Sequence, residues 1–293
     1  MAGLPPWLKV RVASGSAPGK VRRQLDDGGL HTVCEEARCP NRAGCWGCGT
    51  ATFMVLGDSC TRTCRFCAVP GARRPAAPDP AEPERLARSV AELGLSYAVL
   101  TTVCRDDLPD QGAGHIAACV RAIRRAAPGT GIECLIQDFR GDEGCLKIVA
   151  SAAPDVLGHN LETVERLTPS VRDPRAGYRA SLEVLAACTR LAPGIPAKSS
   201  LMLGLGETEA EAADALRDLR AAGVGIVTLG QYLRPSRSPR HLPVAEYVTP
   251  ERFERWRTFA LDLGFSRVAS GPLVRSSYRA GELLRRPAEG RAA

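Results

Sequence analysis

Cysteines stand at positions 60, 64 and 67 of this chain, a C-x3-C-x2-C spacing that offers three thiolates to one metal centre. Iron–sulfur clusters are ordinarily held by four cysteines. A four-iron cluster on three protein ligands keeps one iron open, and an open iron binds a second molecule through nitrogen and oxygen. Such a centre does chemistry instead of only tying the fold together. A second triplet, Cys34, Cys39 and Cys45, has the spacing C-x4-C-x5-C and again lacks a fourth thiol. A competing set exists, because Cys45, Cys48, Cys64 and Cys67 fit the zinc spacing C-x2-C-x15-C-x2-C. It leaves Cys60 without a role and puts the apolar, strand-like TATFMVLG where a zinc ribbon has a loop.

The remaining composition sets the context for this chemistry. With 293 residues the chain can bury roughly three quarters of its unfolded surface in one large domain, so no disulfides are needed. Twelve cysteines without a signal-peptide apolar segment suit a reducing compartment, and a cytoplasmic location is expected. Charged or glycine residues interrupt every apolar run well short of the ~18 residues of a membrane span, so no membrane is expected. The net charge of +7 is arginine-rich and reads as a solvated face, or as steering for an acidic protein. Aromatics at 5% do not interleave with it as base-stacking surfaces would, which argues against nucleic acid.

From residue 51 the sequence alternates short apolar runs with longer amphipathic segments. TFMVLG, YAVLTTV, IECLI, DVLGHN, AKSSLML and GIVTLGQY read as six strands. Between them and after the last, six segments beginning EPERLARS, GHIAACVR, DEGCLKIV, RASLEVLA, EAEAADAL and PERFERWR carry apolar residues at helical spacing, with Gly or Pro at their exits. This rhythm predicts an α/β fold with a parallel sheet, and six units predict a partial (β/α)6 barrel. Its span is 51–265, with extensions at 1–50 and 266–293 closing the barrel mouth. Chemistry on such a fold belongs at the strand C-termini, and the triplet at 60, 64 and 67 follows the first strand directly.

Several further motifs converge on one family. CEEARCPN, GTATFM, GD-C-TR-C-RFCAV, RDDLPD, DFRGDE, HN-ET, GLGET, QYLRPS, HLPV, YVTP and ASGPLVRSSY together resemble the lipoyl synthases of the radical SAM superfamily, from about Val33 to Arg279. The resemblance implies a radical SAM type of barrel and two 4Fe-4S clusters. One, on Cys60, Cys64 and Cys67, would bind S-adenosyl-L-methionine. The other, on Cys34, Cys39 and Cys45, would be completed by a serine of the RSSY motif, with Ser277 chosen and Ser276 as fallback. The implied reaction inserts two sulfur atoms, taken from the second cluster, at C6 and C8 of an octanoyl chain on a carrier-protein lysine. A hydrogen on an unactivated carbon is beyond acid–base chemistry, whereas a primary carbon radical removes it. Implied partners are octanoylated lipoyl carrier domains, an electron donor such as flavodoxin or ferredoxin, and cluster assembly or repair proteins.

Other expectations attach to single positions. Arg105, Asp106 and Asp107 end the second strand, Asn160 the fourth, and Gly204, Gly206 and Glu207 follow the fifth; all are expected to contact the cofactor. The competing reading of GLGET is a plain strand-to-helix turn capped at Thr208. His159 and Arg275 are expected on the substrate side, although a lone histidine is often only a hydrogen-bonded structural residue. The chain departs from the family pattern at Cys104 (usually Asp), Cys48 (usually Gly), Gln137 (usually Pro) and Gly158 (usually Asn). Cys104 and Gly158 motivate a second reading, a two-cluster paralogue acting on another acyl or small molecule. A non-catalytic iron–sulfur or zinc protein is the reading of a different class.

Overall fold

A computed structural model describes residues 4–9, 28–36, 39 and 41–285 of the chain. Its frame is one eight-stranded sheet whose strands lie side by side in chain order. They are β1 (His31–Thr32), β2 (Thr50–Val55), β3 (Tyr97–Thr102), β4 (Gly131–Leu135), β5 (Val156–Gly158), β6 (Ala197–Leu203), β7 (Ile226–Gln231) and β8 (Arg267–Gly271). β1 pairs antiparallel with β2, and every later pairing is parallel. The six expected runs form β2 to β7. β8 adds a further parallel strand from the segment beyond residue 265, where SRVASG carries too few large apolar residues to announce itself.

The helices are α1 (Val33–Glu36), α2 (Arg42–Gly47), α3 (Glu82–Glu92), α4 (Ala113–Ala126), α5 (Glu143–Ser151), α6 (Thr168–Val171), α7 (Tyr178–Leu191), α8 (Glu209–Ala221), α9 (Pro250–Asp262) and α10 (Ala280–Arg285). Apolar residues at helical spacing put Leu86, Val90, Ile116, Val120 and Ile123 into one core with Phe53 and Leu100. A second core gathers Leu216 and Leu219 with Leu201, Val227, Phe253 and Phe265. Strands buried on both faces follow from this layering, as in β2 and β7, where every residue is buried. The result is a curled partial α/β barrel, as the alternation predicts.

The two ends of the barrel are filled differently. At the strand N-termini, α10 enters the interior: Ala280 and Leu284 pack on Tyr97 and Val99, and Leu283 on Val156 and Ile226. A Cβ on Gly281 would sit 2.7 Å from the Tyr97 Cβ, so only glycine lets this helix lie so close. Beside it Lys198 on β6 donates to both Glu133 carboxylate oxygens on β4, at 2.7 and 2.8 Å, and the Tyr97 hydroxyl donates to the same carboxylate at 3.3 Å. This buried group spans β5 and closes the floor. The opposite end is open.

Candidate functional site

The open end holds a cavity of about 400 Å³ lined by Cys34, Cys39, Cys60, Cys64 and Cys67 together with Arg275, Ser276 and Ser277. Both triplets therefore contribute to one chamber, together with the serine pair. The peptide between β2 and Cys60 explains how the Cys60, Cys64 and Cys67 triplet reaches it. Leu56 turns into the left-handed region at φ 72°, which costs a branched residue strain, and two groups hold it there. Its N–H donates to Glu82 at 3.1 Å and its carbonyl accepts Arg105 Nη1 at 3.1 Å.

Beyond that turn four other loops clamp the cysteine segment. The Thr61 N–H donates to the Cys104 carbonyl at 3.0 Å, and the Arg65 N–H to the Val171 carbonyl at 2.9 Å. The Thr63 N–H meets the Asp173 carboxylate at 2.9 Å, and Arg240 and His241 both bond the Cys67 carbonyl. Arg62 is buried and bridges Asp106, at 2.9 Å, to Asp138, at 2.7 Å. A buried guanidinium between two carboxylates fixes the loop, because releasing any partner strands a charge in the interior.

The thiols differ in electrostatics. Cys60 sulfur is held down at about 6, first by a hydrogen bond from the Cys104 side chain and against the opposing effect of burial; the N–H groups of Arg62 and Cys104 help, at 3.4 and 3.2 Å. Burial pushes Cys64 up and raises Cys67 to about 12. Cys34 is raised to about 12 and Cys45 to about 11, in both cases first by burial. Metal ligation needs thiolates, so loading these sites releases protons.

At the other wall, the Thr52 backbone acts against burial to lower the Cys34 thiol, while the Thr52 Oγ1–H donates to Ser277 Oγ at 2.9 Å. One residue of β2 thus stands beside both an N-terminal cysteine and the C-terminal serine. The Arg279 backbone acts on Cys45 in the same sense, and Asn41 Nδ2 donates to the Leu273 carbonyl at 2.5 Å. Gly230 is needed here, because a Cβ would strike the Val274 carbonyl at 2.1 Å. Cys45 is buried behind the cavity lining.

The four cysteines of the zinc spacing are divided in the structure, Cys64 and Cys67 lining the cavity and Cys45 and Cys48 not. Tetrahedral zinc with Zn–S near ~2.3 Å needs its sulfurs within about 4 Å of one another. Among the described residues, the only three-membered His, Cys or carboxylate set within 4.8 Å is Glu82, His115 and Cys119. Those three lie outside the cavity, and their polar atoms serve the fold: His115 Nε2 lies 2.5 Å from the Glu82 oxygen that also receives the Leu56 N–H. Cysteines on different irons of a cluster are under no such distance limit.

The remaining expected residues divide into those facing the chamber and those spent on its frame. His159 and Asn160 line it. Both nitrogens of His159 are engaged, Nδ1 with the Ile136 carbonyl and Nε2 with Ser181 Oγ, each at 3.0 Å, and burial lowers its pKa to about 4. The ring is therefore neutral, with both nitrogens engaged in this arrangement. Arg275 lines the cavity while Nη1 donates to the Val274 carbonyl at 2.7 Å. Arg105, Asp106, Asp107, Gly204, Gly206 and Glu207 do not line it. Arg105 pairs with Asp107 at 2.8 Å, and Asp106 takes Arg62, Arg140, Arg175 and Thr61, so all three serve the frame. Glu207 accepts the N–H groups of Gly204 and Leu205, and Thr208 caps α8 in a capping box with Glu211, which is the strand-to-helix turn of the competing reading. A Cβ on Gly204 would meet Gln231 and the Glu246 carbonyl at 2.3 Å, so that glycine answers a packing demand.

Sequence reasoning passed over Thr52, Asp138 and Glu162. Glu162 lines the cavity, is strained at φ 71°, has its pKa raised by burial and receives Asn160 Nδ2 at 3.1 Å. The acidic letter of HN-ET was its signal. Of the departures, Cys104 and Gln137 line the cavity, whereas Cys48 and Gly158 do not. At Gly158 the nearest atoms to an added Cβ are at 3.5 Å, ordinary contact.

Comparison with known proteins places this geometry in a lineage. Residues 54–219 match the Radical SAM superfamily, and residues 1–39 match the N-terminal domain of lipoyl synthase of the Radical SAM family. The chain is 58% identical over 282 residues to a lipoyl synthase of Anaeromyxobacter dehalogenans, covering 96% of this chain and 95% of that one. It is 55% identical over 280 residues to a lipoyl synthase of Thermus thermophilus, covering 96% and 86%. Among solved structures, the FeFe-hydrogenase maturase HydG from Carboxydothermus hydrogenoformans superposes with a TM-score of 0.59 at 12% identity, covering 86% of this chain and 64% of that one. Methylornithine synthase PylB gives 0.55 at 12%, covering 94% and 89%; at such identity both speak for the fold alone. Set beside the two cysteine triplets at one barrel mouth, near-full-length identity above half makes this chain a member of the lipoyl synthase family within the radical SAM superfamily.

Proposed function

We propose that this chain is a radical-SAM sulfurtransferase that inserts two sulfur atoms, at C6 and C8, into an octanoyl group on a carrier-protein lysine. The observation that carries the reading is the shared cavity: thiols of both triplets and Ser277 line the same chamber. Cys60, Cys64 and Cys67 would hold one 4Fe-4S cluster, with S-adenosyl-L-methionine, and Cys34, Cys39, Cys45 and Ser277 a second. The donor set fits these groups, because all six thiols are free, those of Cys60 and Cys64 receive N–H bonds, and all but Cys45 line a chamber of the size of an ordinary small-molecule site. When bound, these groups supply a 5'-deoxyadenosyl radical to remove hydrogen from an unactivated carbon, and sulfide to replace it.

The chain's own residues do the rest. Val33, Met54, Phe66 and Val274 give the chamber apolar walls that accept an alkyl chain and exclude water. Asn160 and Glu162 offer polar contacts opposite, and Thr52 holds Ser277 by its hydroxyl. A serine oxygen is a harder, weaker ligand for iron than thiolate, which suits a cluster that is consumed. The segments 1–50 and 266–293 would act as caps on a 51–265 barrel. Octanoylated carrier domains, a flavodoxin or ferredoxin and cluster-repair proteins are the proposed partners, and the cytoplasm the proposed location. No helix among the described residues is long and apolar enough to cross a membrane.

The test is an anaerobic reaction with an octanoyl-lysine peptide, read by mass. Two sulfurs replacing two hydrogens is the expected outcome for the native chain. Cys60→Ala is expected to stop 5'-deoxyadenosine formation, whereas Cys34→Ala is expected to retain it and insert no sulfur. Two-cluster protein that cleaves the cofactor but leaves the peptide unchanged would favour the paralogue reading, which Cys104 in the cavity wall supports.

A further inference from the structure

The loop at 233–242 lies against the backbone of the Cys60, Cys64 and Cys67 triplet and concentrates arginine there. Arg65 Nε donates to the Arg240 carbonyl at 3.2 Å, and Arg240 Nη2 donates to the carbonyls of Cys67 and Val69 at 2.8 and 3.1 Å. Arg234 Nη2 donates to the Ser238 carbonyl at 2.8 Å and the Arg237 carbonyl at 3.3 Å. The Arg65 bond to the Arg240 carbonyl ties the cysteine loop directly to this segment, which joins the ends of the patch. Arg65, Arg234 and Arg237 are exposed.

The charges of this patch are not cancelled. Among the described residues, Arg166, Arg179, Arg190 and Arg217 each pair with a carboxylate. Arg65, Arg234, Arg237 and Arg240 have none; the side chains of Arg65, Arg234 and Arg240 donate to backbone carbonyls. Four uncompensated guanidinium groups in one loop pair create a field that draws an acidic surface. None of the four lines the cavity. The patch therefore backs the cysteine loop from outside, separated from the Cys67 peptide by a single hydrogen bond.

We propose that Arg65, Arg234, Arg237 and Arg240 form the docking face for an acidic one-electron carrier protein, which delivers its electron through the Cys67 side of the loop. The inference rests on the reading that Cys60, Cys64 and Cys67 hold a redox cluster. The step balances as one electron lost by the carrier and one gained by that cluster, with no bond or proton changing place. Arg65 stands between Cys64 and Cys67 in the chain and Arg240 bonds the Cys67 carbonyl, so a carrier seated on this patch lies against the cysteine loop itself. An acyl carrier must deliver its chain into the chamber, which none of these four side chains lines.

The test compares the reconstituted native protein with R234E/R237E. Reduced flavodoxin is the probe, its oxidation followed by stopped flow at increasing salt. The variant is expected to lose about tenfold or more in the second-order rate and most of its salt dependence. Its iron content and its dithionite-driven 5'-deoxyadenosine formation are expected to match the native chain. An unchanged flavodoxin rate overturns the docking face. So does a dithionite-driven loss with whole octanoylated carrier that is absent with octanoyl peptide, since the patch would then seat the carrier. If the reversal costs iron, the neutral pair R234Q/R237Q takes the same comparison. Native protein that dithionite cannot reduce would overturn the cluster reading itself, a result separate from any variant's behaviour.

Discussion

Lys198→Met tests the barrel floor most sharply. Lys198 is 3% exposed and Glu133 1%, and they join β6 to β4 across the three-residue β5. Removing the ammonium leaves a carboxylate with no water and one phenol donor at 3.3 Å. Stranding one member of a buried pair costs about 3–5 kcal/mol. Against a total stability of roughly 5–15 kcal/mol, that is a third or more. The double variant Lys198→Met with Glu133→Leu removes both desolvation penalties. Only the Tyr97 hydroxyl then lacks its acceptor, a cost of about 1–3 kcal/mol that apolar packing partly offsets. Urea unfolding of the cluster-free chain, followed by circular dichroism under reductant, reads all members of the cycle. The expected pattern is a large loss in the single variant and recovery in the double, an interaction energy of several kcal/mol. A single variant within about 1 kcal/mol of the native chain, or a double no better than the single, refutes the reasoning.

Three further outcomes follow from the same structure. His159 has a folded pKa of about 4, below the ordinary ~6.5, so the unfolded chain binds the extra proton between those values; stability is expected to fall as pH drops from about 6.5 to about 4, and His159→Gln to flatten that slope of the urea midpoint. Gly281→Val would press on Tyr97 Cβ at 2.7 Å, cost about 1–3 kcal/mol and lift α10, so reconstituted protein is expected to lose iron at the Ser277 side while Cys60, Cys64 and Cys67 still load; full iron content would count against the anchoring. Cys104→Ala removes a donor to the Cys60 sulfur but keeps the backbone N–H, so cluster loading should persist while the midpoint potential in an EPR-monitored titration becomes more negative; an unmoved midpoint means the thiol donor is not felt.

Periodicity made most of the fold legible. Six apolar runs became six neighbouring parallel strands because each is flanked by a helix whose apolar stripe needs a sheet to cover it. β1 and β8 escaped because a two-residue antiparallel pairing and a strand reading RVASG carry no periodic signal, their partners being fixed only by tertiary context. Glu133 and Lys198 were visible as charges inside apolar runs, and their meeting needed the register of β4 through β6.

The candidate site shows where letters stop predicting roles. Cysteine spacing pointed to the chamber because few other residues can do thiolate chemistry, whereas Arg105, Asp106 and Asp107 have charges that serve equally well inside a frame. The frame needs them for a physical reason. The loop that carries the three cysteines closes on itself only in part, with Cys60 bridged to the Pro70–Ala72 backbone, so the N–H groups of Thr61, Thr63 and Arg65 find partners on neighbouring loops. Asp106, Asp138 and Asp173 meet that need with Arg62, Arg140 and Arg175 as counter-charges, and Arg105 does it for the Leu56 turn. Charged letters at strand ends therefore mark the vicinity of the site correctly while their side chains point into its scaffolding. Glu162 divides the two duties within one residue: its strained backbone is bridged to β6, with the N–H on the Ser200 carbonyl at 3.0 Å and the carbonyl on the Met202 N–H at 2.9 Å, while its carboxyl receives Asn160 Nδ2 at the cavity wall.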